Sequence, residues 1–234
     1  RYFPNKRHNE LPISTTRGCA FKCVFCHNSN ENVKKYLGCY RIANPLRAIE
    51  EYKLVQKVVK KHIDFLDVGE DLHLVSKEYA KKFCDTIKGS GLKIKWSTAS
   101  RYQTLTKEIV DLIADAGCVR IMLWVESGSK RIQAMNNKVI DLNHAVNMAT
   151  MLRKKGIFLT NTYIIGHPTE TPEELEKTLE WLRQSRKEGD KIPELSDEFA
   201  KTVGKFQSLE ELKKNVNEGI LMENEKTVKC IDTK

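Results

Sequence analysis

Cys19, Cys23 and Cys26 fall within eight residues near the N-terminus, in the segment Arg17-Gly-Cys-Ala-Phe-Lys-Cys-Val-Phe-Cys-His27. Thiolates are metal ligands, and three on one short loop can converge on a single centre. The C-x3-C-x2-C spacing leaves a four-coordinate metal one ligand short, whereas structural zinc sites are normally closed by four protein ligands. Three readings stand at this point. His27 would complete a zinc site, although ligands adjacent in sequence strain the geometry. The thiols would belong to a disulfide framework. Or they would hold an iron–sulfur cluster with one iron open to a non-protein ligand, on a spacing unlike the two-residue gaps of ferredoxin runs.

The remaining cysteines favour a reducing setting. Seven is an odd number, and they are dispersed through a Lys/Glu-rich chain that opens without a signal-peptide pattern. Cys39, Cys84, Cys118 and Cys230 have no partner spacing, and Cys84 and Cys118 read as small hydrophobes in apolar helical contexts. A cytoplasmic location is expected, with no membrane partner, because no apolar run approaches the roughly 20 residues needed to span a bilayer. Forty Lys and Arg against 31 Asp and Glu give a net charge of +9, which permits RNA as a partner. The lysines are scattered in pairs at helical spacing (Lys57, Lys60 and Lys61; Lys81 and Lys82; Lys154 and Lys155), the pattern of solvated faces. Anionic substrates or a partner surface explain the charge equally well.

The cysteines need elements to position them. At 234 residues the chain is long enough for one sizeable α/β domain or two small ones. A short extended run, Leu11–Thr16, leads into the cysteine loop. Pro45, suited to a first helical position, opens a helical pattern to about Lys61, and Ile63–Val68 reads as a strand. Ser76 caps a helix to about Lys88 that Gly89 and Gly91 end, and Lys93–Thr98 is the next strand. Thr106 opens the helix Lys107–Ala116, stopped at Gly117, and Val119–Val125 is the strongest strand in the chain. A helix over 143–155 ends at Gly156 and gives way to the strand Phe158–Ile165. Thr171-Pro-Glu-Glu supplies an N-cap, a proline at N1 and a carboxylate at N3 for the helix Glu173–Lys187. Beyond Gly189 the helix-like patches Ser196–Thr202 and Ser208–Asn217 and a weak extended run, Thr227–Ile231, offer no evident sixth strand.

Five strand–helix units with short connections imply an α/β fold with a parallel sheet and right-handed crossovers. The expected architecture is a partial (β/α) TIM-type barrel, with function at the C-terminal ends of the strands. A flavodoxin-like open sheet is the runner-up, but no strand is followed by a phosphate-cradling glycine loop. Polar signals do recur at strand ends: the cysteine loop after the first, Val68-Gly69-Glu70-Asp71 after the second, Ser97-Thr-Ala-Ser-Arg101 at the third, Glu126-Ser-Gly-Ser129 after the fourth and Gly166-His-Pro-Thr-Glu170 at the fifth. Ser129 could simply cap a helix and Gly166-His-Pro168 could simply turn the chain.

Taken together, these motifs resemble the radical S-adenosylmethionine (SAM) superfamily. The resemblance implies that Cys19, Cys23 and Cys26 hold a four-iron–four-sulfur (4Fe-4S) cluster whose fourth iron is chelated by SAM. It assigns Phe25 to the aromatic position near adenine, and Gly69 and Glu70 to a shortened Gly-Gly-Glu segment that receives the SAM amino group, with Val68 in place of the first glycine. It also implies SAM contacts from Ser97, from Glu126 and Ser127 near the ribose, and from the segment holding Gly166 near adenine, where Thr162 stands at a position commonly glycine. It leaves residues that act on the substrate unassigned.

Within that superfamily Ile13-Ser-Thr-Thr-Arg-Gly-Cys19, Ala99-Ser-Arg101 and Trp124-Val-Glu-Ser-Gly-Ser129 are most similar to cores that accompany a cobalamin-binding domain, and also to the methylthiotransferases. Cobalamin is implied only if a separate or missing domain supplies it. The domain reading is a lead-in over 1–10, which ends a linker from such a domain, a radical SAM core over 11–188, and an extension over 189–234 that forms a helical lid. The resemblance implies an enzyme that cleaves SAM to a 5′-deoxyadenosyl radical acting on an unknown substrate, fed by a flavodoxin- or ferredoxin-type one-electron reductant. Two alternatives are a non-catalytic iron–sulfur or zinc protein that binds RNA through its basic faces, and a degenerate core that keeps its cluster without turnover.

Overall fold

The computed structural model describes residues 9–59 and 62–185, together with Glu210, Glu211 and Lys214, which are helical. The chain opens with β1 (Glu10–Pro12), β2 (Thr16–Arg17), α1 (Glu31–Leu37) and β3 (Arg41–Ile42). It continues with α2 (Leu46–Val58), β4 (Phe65–Val68), α3 (Lys77–Gly89), β5 (Lys95–Ser100) and α4 (Lys107–Asp115). It runs on through β6 (Cys118–Glu126), α5 (Lys130–Met135), α6 (Leu142–Lys154), β7 (Phe158–Tyr163) and α7 (Pro172–Ser185). No described helix is long and apolar enough to cross a membrane.

The five expected strands form one sheet in the order β1-β4-β5-β6-β7. β1 pairs parallel with β4, β4 with β5 and β5 with β6, the last with a register irregularity between Trp96 and Ser97. Phe65, Leu66 and Val68 of β4 are completely buried, as are Ile121, Leu123 and Val125 of β6. Such near-continuous apolar strands suit a sheet covered by crossover helices. The helix signals hold at atomic level. Ser76 Oγ accepts from Tyr79 N at 3.2 Å, and Thr106 Oγ1 accepts from Ile109 N at 3.3 Å. Gly117 takes φ +86° where the chain leaves α4, and a Cβ there would stand 3.2 Å from the Ile94 carbonyl. The position therefore favours glycine twice over.

The chain divides into two compact units, one of Arg1–Leu123 with Asn147–Thr160, the other of Trp124–Val146 with Asn161–Lys234. In the first, α3 and α4 bury Phe83, Cys84, Ile87, Ile109, Val110 and Ile113. In the second, the core includes Ile132, Tyr163, Leu175, Leu179, Trp181 and Leu182.

Several local expectations are corrected. The run Leu11–Thr16 is two strands, because Thr15 N donates to the Glu70 carboxylate instead of to a sheet neighbour. β2 then pairs antiparallel with β3, and α1 fills the stretch between them, capped by Asn30, whose side chain accepts from Asn32 N and Val33 N. Pro45 is the N-cap of α2, which ends at Val58 when Val59 turns extended. β5 lies two residues later than expected, at Lys95–Ser100, and Cys118 begins β6 instead of lying in a helix. Buried Cys84 and Cys118 do behave as small hydrophobes: burial pushes the Cys84 thiol up to about 12 and raises that of Cys118 further. The expected patches Ser196–Thr202 and Thr227–Ile231, and Ser208–Asn217 apart from its three helical residues, lie outside the described residues.

Candidate functional site

The cysteine loop follows β2 and opens at Gly18, held at φ +74°. Cys23 is buried while Cys19 and Cys26 are part-exposed. Cys26 N donates to the Cys23 carbonyl at 3.1 Å, and the carbonyl of Cys26 accepts from Ser29 N at 2.9 Å, so the loop makes two successive backbone turns through Cys23 and Cys26. Asn28 anchors it, donating its amide to the Asp71 carboxylate at 2.7 Å. Burial pushes the Cys19 thiol above its ordinary range; a Phe21 backbone hydrogen bond and the Arg101 guanidinium oppose the rise, and the Cys26 and Cys23 thiols add to it. The three sulfurs and one cation therefore share one electrostatic neighbourhood. Arg101 Nη1 donates to Cys23 Sγ at 3.3 Å, and its guanidinium lies 3.7 Å from the centre of the Phe21 ring.

Among the described residues no three His, Cys, Asp or Glu side chains converge as ligands of one metal ion. A cluster spreads its ligands around several irons, and soft thiolates are its usual donors. The three loop thiols fit that group.

The other expected residues of the first unit are engaged with that loop or with β4. Glu70 is buried, and its carboxylate accepts from Thr15 N and from Thr16 Oγ1, three residues before Cys19. Burial raises its pKa, and the Thr16 and Thr15 hydrogen bonds counter the rise. The Val68-Gly69-Glu70 segment thus braces the strand that launches the cysteine loop. A Cβ on Gly69 would come within 3.3 Å of the Asp67 carboxylate. Ser97 Oγ donates to Asp67, which also pairs with buried Arg120 at 3.3 Å. Phe25 is half-exposed on the loop.

In the second unit, Glu126 ends β6 at φ +68°, a left-handed conformation rarely occupied by a residue with a side chain. Its carboxylate meets Lys138 Nζ at 2.5 Å, and both side chains are buried. Its carbonyl accepts from Ile164 N at 2.9 Å. A strained, buried, charged residue at a strand end points to function. The rest of Glu126-Ser-Gly-Ser129 has local work. Ser127 Oγ accepts from Ser129 N at 3.1 Å, and Ser129 caps α5 while donating to Glu174 at 2.7 Å. A Cβ on Gly128 would lie 2.4 Å from the Lys177 carbonyl, so only glycine lets α7 pass.

Gly166 takes φ +78°, and its N–H donates to Glu170 Oε2 at 2.6 Å, which His167 N also approaches at 3.3 Å. Burial lowers the His167 pKa to about 4, leaving the ring neutral beside the Asn136 amide at 3.2 Å. The other Glu170 oxygen is buried with no hydrogen-bond partner among the described residues, and burial raises the carboxyl to about 7. A carboxyl raised in the folded state holds its proton better there, so its contribution is complete below about pH 4.5 and is lost as pH rises through about 7. Glu170→Gln, which keeps the protonated shape, is expected to match wild type at pH 4. By pH 8 it should be more stable by on the order of 3 kcal/mol in urea denaturation. An unchanged difference across that range would mean the carboxyl is not held protonated.

Three engaged residues carry no spacing rule that would single them out: Thr15 and Thr16 as partners of Glu70, and Lys138 as partner of Glu126. Arg101 lies inside a quoted motif, but its contact with sulfur depends on β5 returning beside the loop.

The sequence pattern of the radical SAM superfamily matches residues 13–182. An uncharacterized methyltransferase, PH0819, of Pyrococcus horikoshii is 31% identical over 173 residues, covering 74% of this chain and 36% of that protein. The anaerobic magnesium-protoporphyrin IX monomethyl ester cyclase of Cereibacter sphaeroides is 28% identical over 69% of this chain and 26% of its own length. Among solved structures, the radical SAM methyltransferase TsrM from Kitasatospora setae, with cobalamin and cluster bound, superposes with a TM-score of 0.65 at 16% identity, over 76% of this chain and 35% of that one. The chain belongs to the radical SAM superfamily. Its parallel sheet with alternating helices is the partial-barrel fold of those enzymes, which sets the flavodoxin-like alternative aside. It spans about a quarter to a third of the length of these relatives.

Proposed function

We propose that this chain is a radical SAM catalytic core in which Cys19, Cys23 and Cys26 ligate a 4Fe-4S cluster. Family membership and three thiols on one short loop, Cys23 buried among them, carry this reading together. When bound, the cluster would supply one electron to cleave the S–C5′ bond of SAM, giving methionine and a 5′-deoxyadenosyl radical that acts on an unidentified substrate. The chain's own residues bind, orient and exclude water. The proposed SAM contacts are Phe25, Gly69, Glu70 and Ser97 in the first unit and Glu126, Ser127 and Gly166 in the second. Glu70 also fixes the approach to the loop through Thr15 and Thr16. Ser127 and Gly166 contribute chiefly by backbone shape, since the Ser127 hydroxyl and the Gly166 N–H already have partners.

Residues 11–188 are the proposed core, with 1–10 as lead-in and 189–234 as an extension. A flavodoxin- or ferredoxin-type protein is the proposed electron donor, and cobalamin enters only through another domain. Anaerobic reconstitution tests the reading. It should yield about four irons per chain and 5′-deoxyadenosine from SAM plus dithionite. Stoichiometric zinc, with no such product, would overturn it in favour of a binding protein. A filled cluster that binds SAM without product would mark a core that has lost turnover.

A further inference from the structure

Arg101 is only 5% exposed, and arginine is rarely buried without a specific partner. Two of its contacts fall on one three-residue stretch of the cysteine loop, Phe21–Cys23. Nη1 donates to Cys23 Sγ at 3.3 Å, and the guanidinium carbon lies over the Phe21 ring, 3.7 Å from its centre. Nε also reaches Gln103 Oε1 at 3.4 Å, which fixes the fork from its own side of β5. The cation is thus clamped between an aromatic face and a sulfur, both supplied by the loop.

The geometry points to Arg101 as a positioning residue that acts through Cys23 to raise the reduction potential of the cluster. This inference rests on the ligand assignment proposed above. One-electron reduction adds a negative charge that spreads onto the ligand sulfurs, while no bond breaks and no proton moves. A donor hydrogen and a positive charge at one sulfur stabilise that reduced form, and hydrogen bonds to the sulfurs are among the levers that set cluster potentials. The low exposure of the guanidinium leaves its charge weakly screened. Lysine cannot both stack flat on Phe21 and present a fixed donor to Sγ. Arg101 is therefore not replaceable by charge alone.

The test is an EPR-monitored redox titration of the reconstituted full chain, with mediators and without SAM, comparing wild type, Arg101→Met and Arg101→Lys. Methionine keeps an apolar stem against Phe21 and removes the charge. Its ratio of reduced to oxidised cluster at a fixed potential should fall about tenfold, which is about 59 mV toward negative for one electron. Lysine should shift the potential in the same direction by less. An unchanged potential in Arg101→Met with wild-type iron content would reduce the contact to packing and end the idea. If the methionine variant holds no cluster, the lysine variant decides by the same measure. If both stay folded but clusterless, Arg101 builds the loop and does not tune it, which also overturns the claim. Failure of the wild type to assemble a cluster would instead strike the ligand assignment itself.

Discussion

Cys23→Ala should fold and hold almost no iron, falling from about four irons per chain to well under one after reconstitution. Cys23 is the most deeply placed of the three loop thiols and the one whose sulfur meets Arg101. Removing it deletes a ligand and leaves the guanidinium without that acceptor, a loss of roughly 1–2 kcal/mol for one buried hydrogen bond. The fold should tolerate this. The core of the first unit is apolar packing between sheet and helices, with Phe65, Leu66, Phe83, Trp96 and Ile121 fully buried, and none of it depends on a metal. Helical circular dichroism should therefore stay near wild type while iron disappears. Cys84→Ala is the matched control: a buried thiol deep in α3 that should keep its iron and lose only a little stability. Collapse of helical structure in Cys23→Ala would mean that the metal is structural, and iron retention would remove Cys23 from the ligands.

The fold was legible because its signals are local and repeated. Three helices of the strand–helix units announce themselves by a cap, and Ser76, Thr106 and Thr171 all accept the hydrogen bonds their positions promise. The Thr171 cap is reciprocal, since Glu174 Oε2 accepts from Thr171 N at 3.1 Å. The β2–β3 pair is illegible in sequence because its strands are short and take their shape from tertiary partners, while α1, although capped locally by Asn30, is too short to show a periodic stripe. β2 and β3 have two residues each, and Thr15 is diverted by a carboxylate 55 positions away. Cys118 reads as helical in sequence only because it follows a helix pattern, one that Gly117 has already ended.

The site divides along a similar line. Cysteine spacing survives in sequence because all its ligands sit on one loop. The partners that tune charged groups come from elsewhere in the chain: Arg101 lies 78 residues from Cys23, and Glu70 answers Thr16 across 54. No periodicity encodes such pairs. The motif Glu126-Ser-Gly-Ser129 shows the opposite trap, because most of its letters serve packing. Gly128 makes room for α7 and Ser129 caps α5, which leaves Glu126 as the residue whose conformation local structure does not require.

That residue gives the second large prediction. Glu126→Ala should destabilise the second unit by about 3–5 kcal/mol, the usual result of removing one member of a buried ion pair, because Lys138 Nζ loses a carboxylate at 2.5 Å. Glu126→Ala combined with Lys138→Met should recover most of that loss, since a buried pair replaced by apolar groups is often neutral. Glu126→Gly with Lys138→Met should do better than the alanine double variant by up to about 1 kcal/mol, because glycine takes φ +68° without strain. Stability alone cannot separate a structural ion pair from a ligand contact; SAM affinity in the stable double variants can. If Glu126 receives SAM, binding should stay weaker by about 1–3 kcal/mol even after folding is restored, the scale of a lost charge-assisted hydrogen bond. Calorimetry that returns wild-type affinity in the Lys138→Met background would confine Glu126 to neutralising the lysine. It would also mean that the strained backbone at the end of β6 serves that pair and no ligand.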